Sequence, residues 1–183
     1  MIKLEVNKKD LLESRVEVRN LPGTLFAGTG PLLRPFLTKL EILLPPEERG
    51  HGSSYTFASL RTHVDKVCAT SDQIDVESRG RAVGISRAEL EEMIGNKYPT
   101  LEHQKLNLPG LLFLQSGPAL QICCLEKLAR DHGAMIPRGR RTLRYVFHTT
   151  VVSVYGDSDS ILVEFELDRL PKLASSSSRE DAD

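Results

Sequence analysis

LRYVFHTTVVSVYGDSDSILVEFELD, residues 143–168, is the stretch on which the fold class turns. Leu143, Tyr145, Phe147, Thr149 and Val151 alternate with Arg144, Val146, His148, Thr150 and Val152. Ile161, Val163, Phe165 and Leu167 then alternate with Leu162, Glu164, Glu166 and Asp168. A period of two places one set of side chains on a buried face and the other toward water, the mark of half-buried strands. Gly156-Asp157-Ser158-Asp159 supplies the turn between them, so the stretch predicts a long hairpin with one core face.

Working outward, the same alternation appears in Ile2, Leu4 and Val6, in Val16 and Val18, and in Ile74 and Val76 followed by Val83 and Ile85 across a turn at Gly80. A short helix is compatible with Leu11 and Leu12. Residues 21–35 carry three Gly and three Pro and read as a loop; residues 37–44 read as a dense apolar strand stopped by Pro45-Pro46. Ser53 or Ser54 can cap a helix whose apolar stripe runs Phe57, Leu60, Val64, Val67 and Cys68. Ser86-Arg87-Ala88-Glu89 is a capping box opening a helix through Leu90, Met93 and Ile94 that ends at Gly95 or Asn96. Residues 98–110 read as loop and 111–114 as a short buried strand. Pro118 opens a helix containing Ile122, Cys123, Leu125, Leu128 and Ala129 that Gly133 closes, with a strand over 121–124 as the competing reading. The order is irregular, so the expected class is α+β: a mainly antiparallel sheet with two or three packed helices in a single domain over residues 1–170. Residues 171–183 form a Ser-rich acidic tail expected to be disordered, in which Ser175 to Ser178 precede Arg179-Glu180-Asp181 and could accept phosphate.

Composition narrows the function classes. Of the 183 residues, 40% are apolar, enough for one core without staples. Aromatics make up 5%, so that core must rest on Leu, Val and Ile. Twenty-four basic side chains meet 25 acidic ones, so a polyanion can be met only by a local patch. Three Cys, two of them adjacent, imply free thiols in a reducing compartment. The N-terminal residues show no signal or transit pattern, and no apolar run nears the roughly 20 residues that cross a bilayer. The expected location is the cytoplasm, or a virion and host cytoplasm if the protein is viral.

Candidate chemistry is sparse. Gly28-Thr29-Gly30 lacks the lysine and the helix of a phosphate loop, and Pro31 follows it. None of the five His stands at zinc-ligand spacing, and Ser116 lacks the glycines of a nucleophile elbow. Cys123 or Cys124 with His132 is conceivable as a nucleophile pair, but the thiols fall on a core face. Glu164, Glu166 and Asp168 line one strand face and could offer hard oxygen ligands to Mg²⁺, the basis of an alternative reading as a small metal-dependent phosphohydrolase. Tunnel-type triphosphatases carry Glu-x-Glu-x-Lys near the N-terminus, which Glu5-Val6-Asn7-Lys8 does not match. The one suggestive patch is Arg138, Arg140, Arg141 and Arg144, with Lys127 and Arg130 upstream and no acid between Pro137 and His148. Guanidinium groups at this density could bind phosphates of RNA or of an anionic lipid surface; the plainer reading is a solvated loop entering a strand.

Two stretches resemble the matrix proteins of rhabdoviruses, particularly the short ones of plant-infecting members. One is Leu37-Thr38-Lys39-Leu40-Glu41-Ile42-Leu43-Leu44 followed by a turn and Tyr55-Thr56-Phe57-Ala58-Ser59-Leu60; the other runs from Leu143-Arg144-Tyr145 through Val151-Val152-Ser153-Val154-Tyr155-Gly156-Asp157. The resemblance covers about a third of the chain. It implies a strand, a turn and a helix opening the globular core, and a long aliphatic strand later. It further implies a non-enzymatic structural protein that self-associates and bridges ribonucleoprotein or RNA to an anionic membrane through the basic patch; the residues themselves identify no cofactor, no metal site and no small-molecule substrate. Pro45-Pro46-Glu47-Glu48 does not make the Pro-Pro-x-Tyr budding motif of the better-known members. An intracellular adaptor with a phosphorylated tail is the remaining reading.

Overall fold

The computed structural model describes residues 1–13, 21–27, 33–95, 108–115, 118–133 and 150–166. Six strands form one antiparallel sheet: β1 Ile2–Asn7, β2 Lys66–Ala69, β3 Gln73–Ser78, β4 Arg81–Ser86, β5 Val151–Gly156 and β6 Ser160–Phe165, in the order β1-β6-β5-β2-β3-β4. Around them stand seven α-helices among the described residues, more than the two or three expected: α1 Lys8–Glu13, α2 Leu21–Ala27, α3 Leu37–Leu40, α4 Ser53–His63, α5 Arg87–Gly95, α6 Leu108–Gln115 and α7 Pro118–His132. The class is α+β in a single domain, as the alternating patterns imply.

Alternate residues of every strand meet on one apolar face. Leu4 and Val6, Ile161 and Val163, Val154, Val67 and Ala69, Ile74 and Val76, and Val83 and Ile85 are all buried there. Helices α2 and α6 lie on this face, and α4 backs α2, with the rings of Phe26 and Phe57 6.1 Å apart. Gly156 is what lets α2 come so close to β5: a Cβ there would collide with the fully buried Leu25 side chain.

The β3–β4 hairpin turns through Arg79 and Gly80, with φ of 53° and 79°. Positive φ at both central residues is the type I′ geometry that suits the twist of paired strands. The β5–β6 turn is held by Asp157, whose Oδ1 accepts the Asp159 and Ser160 N–H groups at 2.8 and 3.0 Å. Register slips between Val151 and Ser153, leaving Val152 as a bulge. The buried set of this strand therefore passes from odd to even positions, Val151 then Val154 and Gly156. Val152 and Val154 are equally apolar, so strict alternation in sequence hides the change. The capping box at Ser86 is present: the Glu89 N–H donates to Ser86 Oγ at 3.2 Å, and the Glu89 carboxylate takes the Ser86 hydroxyl. Lys39 Nζ also bonds Glu89, at 2.9 Å, tying α3 to α5. Helix α7 ends as expected, with Gly133 at φ 61° and its N–H on the Ala129 carbonyl.

Several expectations are corrected. Residues 37–44 are not a strand: α3 runs into a 3₁₀ turn at Glu41–Leu43. Leu33, Phe36, Leu40, Leu43 and Leu44 are buried at spacings of three and four, while Ile42 is 46% exposed, which is helical and not strand periodicity. Part of the expected loop over 21–35 is helix α2, and the expected strand over 111–114 is helix α6, which carries Pro109 in its first turn where a missing N–H costs nothing. The stripe predicted for α4 is a turn too long. The helix stops at His63, Val64 is extended, and Val67 sits on β2 between β3 and β5. Its N-cap is Gly52, with no side-chain cap from a serine. Residues 118–132 are helix α7, so the strand alternative over 121–124 falls, and Ile122 on that helix is 53% exposed. The strand at Val16 and Val18, the hairpin residues 143–149 and the tail over 171–183 lie outside the described residues.

The helical reading of residues 37–44 has a direct consequence. Leu40→Ala should cost about 2–5 kcal/mol of unfolding free energy by denaturant titration, whereas Ile42→Ala should stay within about 0.5 kcal/mol; a strand would bury both and make the two losses alike.

Candidate functional site

The first connection of the chain builds a small polar cleft. β1 runs directly into α1, and Asn7 and Asp10 cap that helix reciprocally. The Asp10 N–H donates to Asn7 Oδ1 at 2.9 Å, and the Asn7 N–H donates to Asp10 Oδ2 at 3.1 Å. Helix α7 packs against β1 and α1 and brings Lys127 Nζ to 2.8 Å from the same Asp10 oxygen. The ammonium also donates to the Glu5 backbone carbonyl. Both partners of the ion pair are 19% exposed, so it is shielded more than a surface pair. Burial alone would raise the Asp10 pKa. The hydrogen bonds from Lys127 and from the Asn7 amide, with the nearby charges of Lys127 and Arg130, outweigh it and hold the carboxyl below the usual aspartate range. A cleft of about 180 Å³ opens beside this pair, lined by Asp10, Glu13, Cys123, Glu126, Lys127 and Arg130.

The described residues among those singled out from sequence fall in different surroundings. Lys127 is occupied by Asp10 and Glu5, so its charge is committed within the fold. Arg130 stands on the exposed side of α7, 66% exposed, with Asp131 at 3.5 Å. Arg138, Arg140, Arg141 and Arg144 lie outside the described residues. Glu164 on β6 faces its cross-strand partner Lys3, 3.5 Å away, and Glu166 follows the end of the strand with its N–H on the Thr150 carbonyl. Asp168 lies outside the described residues, and among those described no three His, Cys, Asp or Glu side chains gather as metal ligands. The His51 ring lies tilted against that of Tyr55, centroids 4.9 Å apart, and His63 and His132 are exposed at helix ends. Gly28 to Gly30, Ser116, His103 and His148 lie outside the described residues. All three cysteines are free. The Cys124 thiol is fully buried and burial pushes it far above a free thiol, the opposite of a reactive thiolate. Burial, and then the charge of Asp75, raise Cys68 as well.

No protein-family model, curated protein or solved structure matches the chain. The chemistry must therefore be read from the side chains alone.

Two features escape a linear reading. The sheet face turned away from the helices carries a row in continuous register, Glu5-Leu162-Tyr155-Cys68-Asp75-Gly84, from one edge strand to the other. The Leu162, Tyr155 and Cys68 side chains in it are half-buried. A second arginine cluster also forms where the Glu41–Leu43 turn meets β4. Arg49 donates to the Leu44 and Ile42 carbonyls at 3.0 and 3.2 Å, and Arg81 donates to the Ile42 carbonyl at 2.8 Å. These guanidinium groups close the C-terminal carbonyls of the preceding helical segment. Arg79 pairs with Glu48 at 3.6 Å. The only sequence signal is two arginines flanking Gly80; nothing local joins them to Arg49.

The Asp10–Lys127 pair sets a pH dependence. A lowered carboxyl pKa contributes stability above the ordinary aspartate value and loses it as pH falls through the folded-state value. Asp10→Asn should therefore lose stability at neutral pH and flatten the acid limb of the stability curve below about pH 4. Lys127→Ala should cost about 1–3 kcal/mol because it strands a partly buried carboxylate. In denaturant titrations the double variant should lose less than the sum of the single losses, the signature of direct coupling.

Proposed function

We propose that the protein is a non-enzymatic structural protein of matrix type, which self-associates and bridges ribonucleoprotein to an anionic membrane surface in the host cytoplasm and virion. The observation that carries this reading is the exposed end of α7. Asp131, His132 and Gly133 are exposed there, Arg130 directs its side chain to solvent, and the segment bearing Arg138, Arg140, Arg141 and Arg144 follows directly in sequence. The body of α7 is anchored at the β1 edge through Lys127, so the arginine-bearing segment starts from a fixed point on the surface. Lys127 is left out of the contact set for the same reason, because its ammonium already serves Asp10 and Glu5. Arg130 stays in it.

Among the described residues no helix is long and apolar enough to cross a membrane. In this reading membrane contact is peripheral, made by guanidinium groups on lipid phosphates, and the same groups take RNA phosphates. No acid stands within the arginine segment to neutralise those charges. The carboxylate row gives the phosphohydrolase reading little support, since Glu164 is matched to Lys3 across the strands.

The test is charge reversal of Arg138, Arg140, Arg141 and Arg144 to Glu together, with binding to phosphatidylserine vesicles and to single-stranded RNA followed against salt. The slope of log affinity against log salt for RNA should flatten by roughly 3, at about 0.7 per lost phosphate contact, and vesicle binding should fall in parallel. Unchanged binding to both would overturn the assignment.

A further inference from the structure

The two edges of the sheet differ in how their backbone groups are occupied. On β1 two of the outward groups are used: the Glu5 carbonyl accepts Lys127 Nζ, and the Asn7 N–H donates to Asp10. A lysine and a helix across an edge are devices that stop strand addition. On the far side the direction of each backbone group on β4 follows from β3. There the Glu77 carbonyl accepts the Asp65 N–H at 2.8 Å and the Gln73 carbonyl accepts the Thr70 N–H at 2.9 Å, both away from β4. Successive residues of a strand point their hydrogen-bonding groups in opposite directions. Ile74, Val76 and Ser78 therefore face β4 and bond Ile85, Val83 and Arg81, their register partners. Ala82 and Gly84 must then turn N–H and C=O outward. Among the described residues no hydrogen bond reaches these outward groups, and Ala82 is exposed. The next outward residue, Ser86, leads into α5 and pairs its hydroxyl with the Glu89 carboxylate and amide.

We propose that this edge is a self-association interface, in which β4 of two copies pairs antiparallel about a twofold axis at Val83. Ala82 then exchanges both backbone hydrogen bonds with Gly84 of the partner subunit, and Gly84 does the same with Ala82 of the partner subunit. The occupant is a second copy because the pattern complements itself: four outward groups spaced two residues apart meet four identical ones, with none left over. Ala82 and Gly84 present almost no side chain to the approaching strand, and neither carries charge. Glu77 and Asp75, their register partners on β3, would be separated from the matching acids of the second copy by three strand spacings, about 14 Å, so no like charges are forced together. The result is a single sheet continuous through both protomers. This inference rests on the proposed function only for self-association and is independent of the arginine contacts.

The test uses the full chain in sedimentation equilibrium and amide exchange. The wild type should dimerise with rising concentration, and exchange at Ala82 and Gly84 should slow by about tenfold or more between the dilute and concentrated limits. Ala82→Pro removes an outward N–H that serves no bond in its own sheet, and it should stay monomeric with an unchanged circular dichroism spectrum. If that variant does not fold, exchange in the wild type decides. A dimer whose Ala82 and Gly84 amides remain unprotected, or a folded Ala82→Pro that still dimerises, would overturn the interface. So would a wild type that stays monomeric at every concentration. A monomeric wild type that binds vesicles and RNA would remove this interface and leave the polyanion reading standing.

Discussion

A sheet whose strands bury alternate residues has one apolar face, and that face must be covered by something the same chain provides. Here α2 and α6 provide it, and their fit depends on the close approach of Leu25 to β5 that Gly156 permits. The demand for cover also explains residues 33–44. That run has to lay Leu33, Phe36, Leu40, Leu43 and Leu44 against the core, and a helix with a 3₁₀ extension does so at spacings of three and four. An extended chain would have put half of them in water.

Covering one face leaves the other face and two edges. The far face carries a row of mixed chemistry across all six strands, half-buried at Leu162, Tyr155 and Cys68 and exposed at Glu5 and Asp75. One edge is crossed by Lys127, which bridges a backbone carbonyl and the Asp10 carboxylate and so joins β1, α1 and α7. The opposite edge carries the small residues Ala82 and Gly84, whose outward backbone groups meet no hydrogen-bond partner among the described residues. Charge is used in the same economical way throughout. Lys127, Arg49 and Arg81 satisfy carbonyl oxygens at an edge or a helix end, and Arg79, Lys39 and Lys3 meet single carboxylates. The run from Arg138 to Arg144 is set apart in sequence by having no acid within it.

Local signals were legible where one pattern had one structural meaning. The Ser86–Glu89 box, the Gly80 and Asp157 turns, the Pro118 to Gly133 helix and the Ile2, Ile74, Val83 and Ile161 strands all stand where their residues place them. Dense leucine runs were ambiguous, because Leu37 to Leu44 and Leu111 to Leu114 satisfy both periods over a few residues. The junction after His63 was misread for a related reason. Phe57, Leu60, Val64 and Val67 happen to keep helical spacing across a helix, a turn and a strand. In the candidate site, sequence picked out Lys127 and Arg130 as cations but could not show that Asp10, more than a hundred residues earlier, is the partner of the first.

The amino-acid sequence by itself determined the class of the fold and the one-sided burial of its strands, because periodicity and turn chemistry act over a few residues. Only the tertiary structure decided which charges are spent inside the molecule and which edge of the sheet is closed. Those outcomes depend on pairs such as Glu5 with Lys127 and Ile42 with Arg81, and contact between residues so far apart is set by how the elements pack.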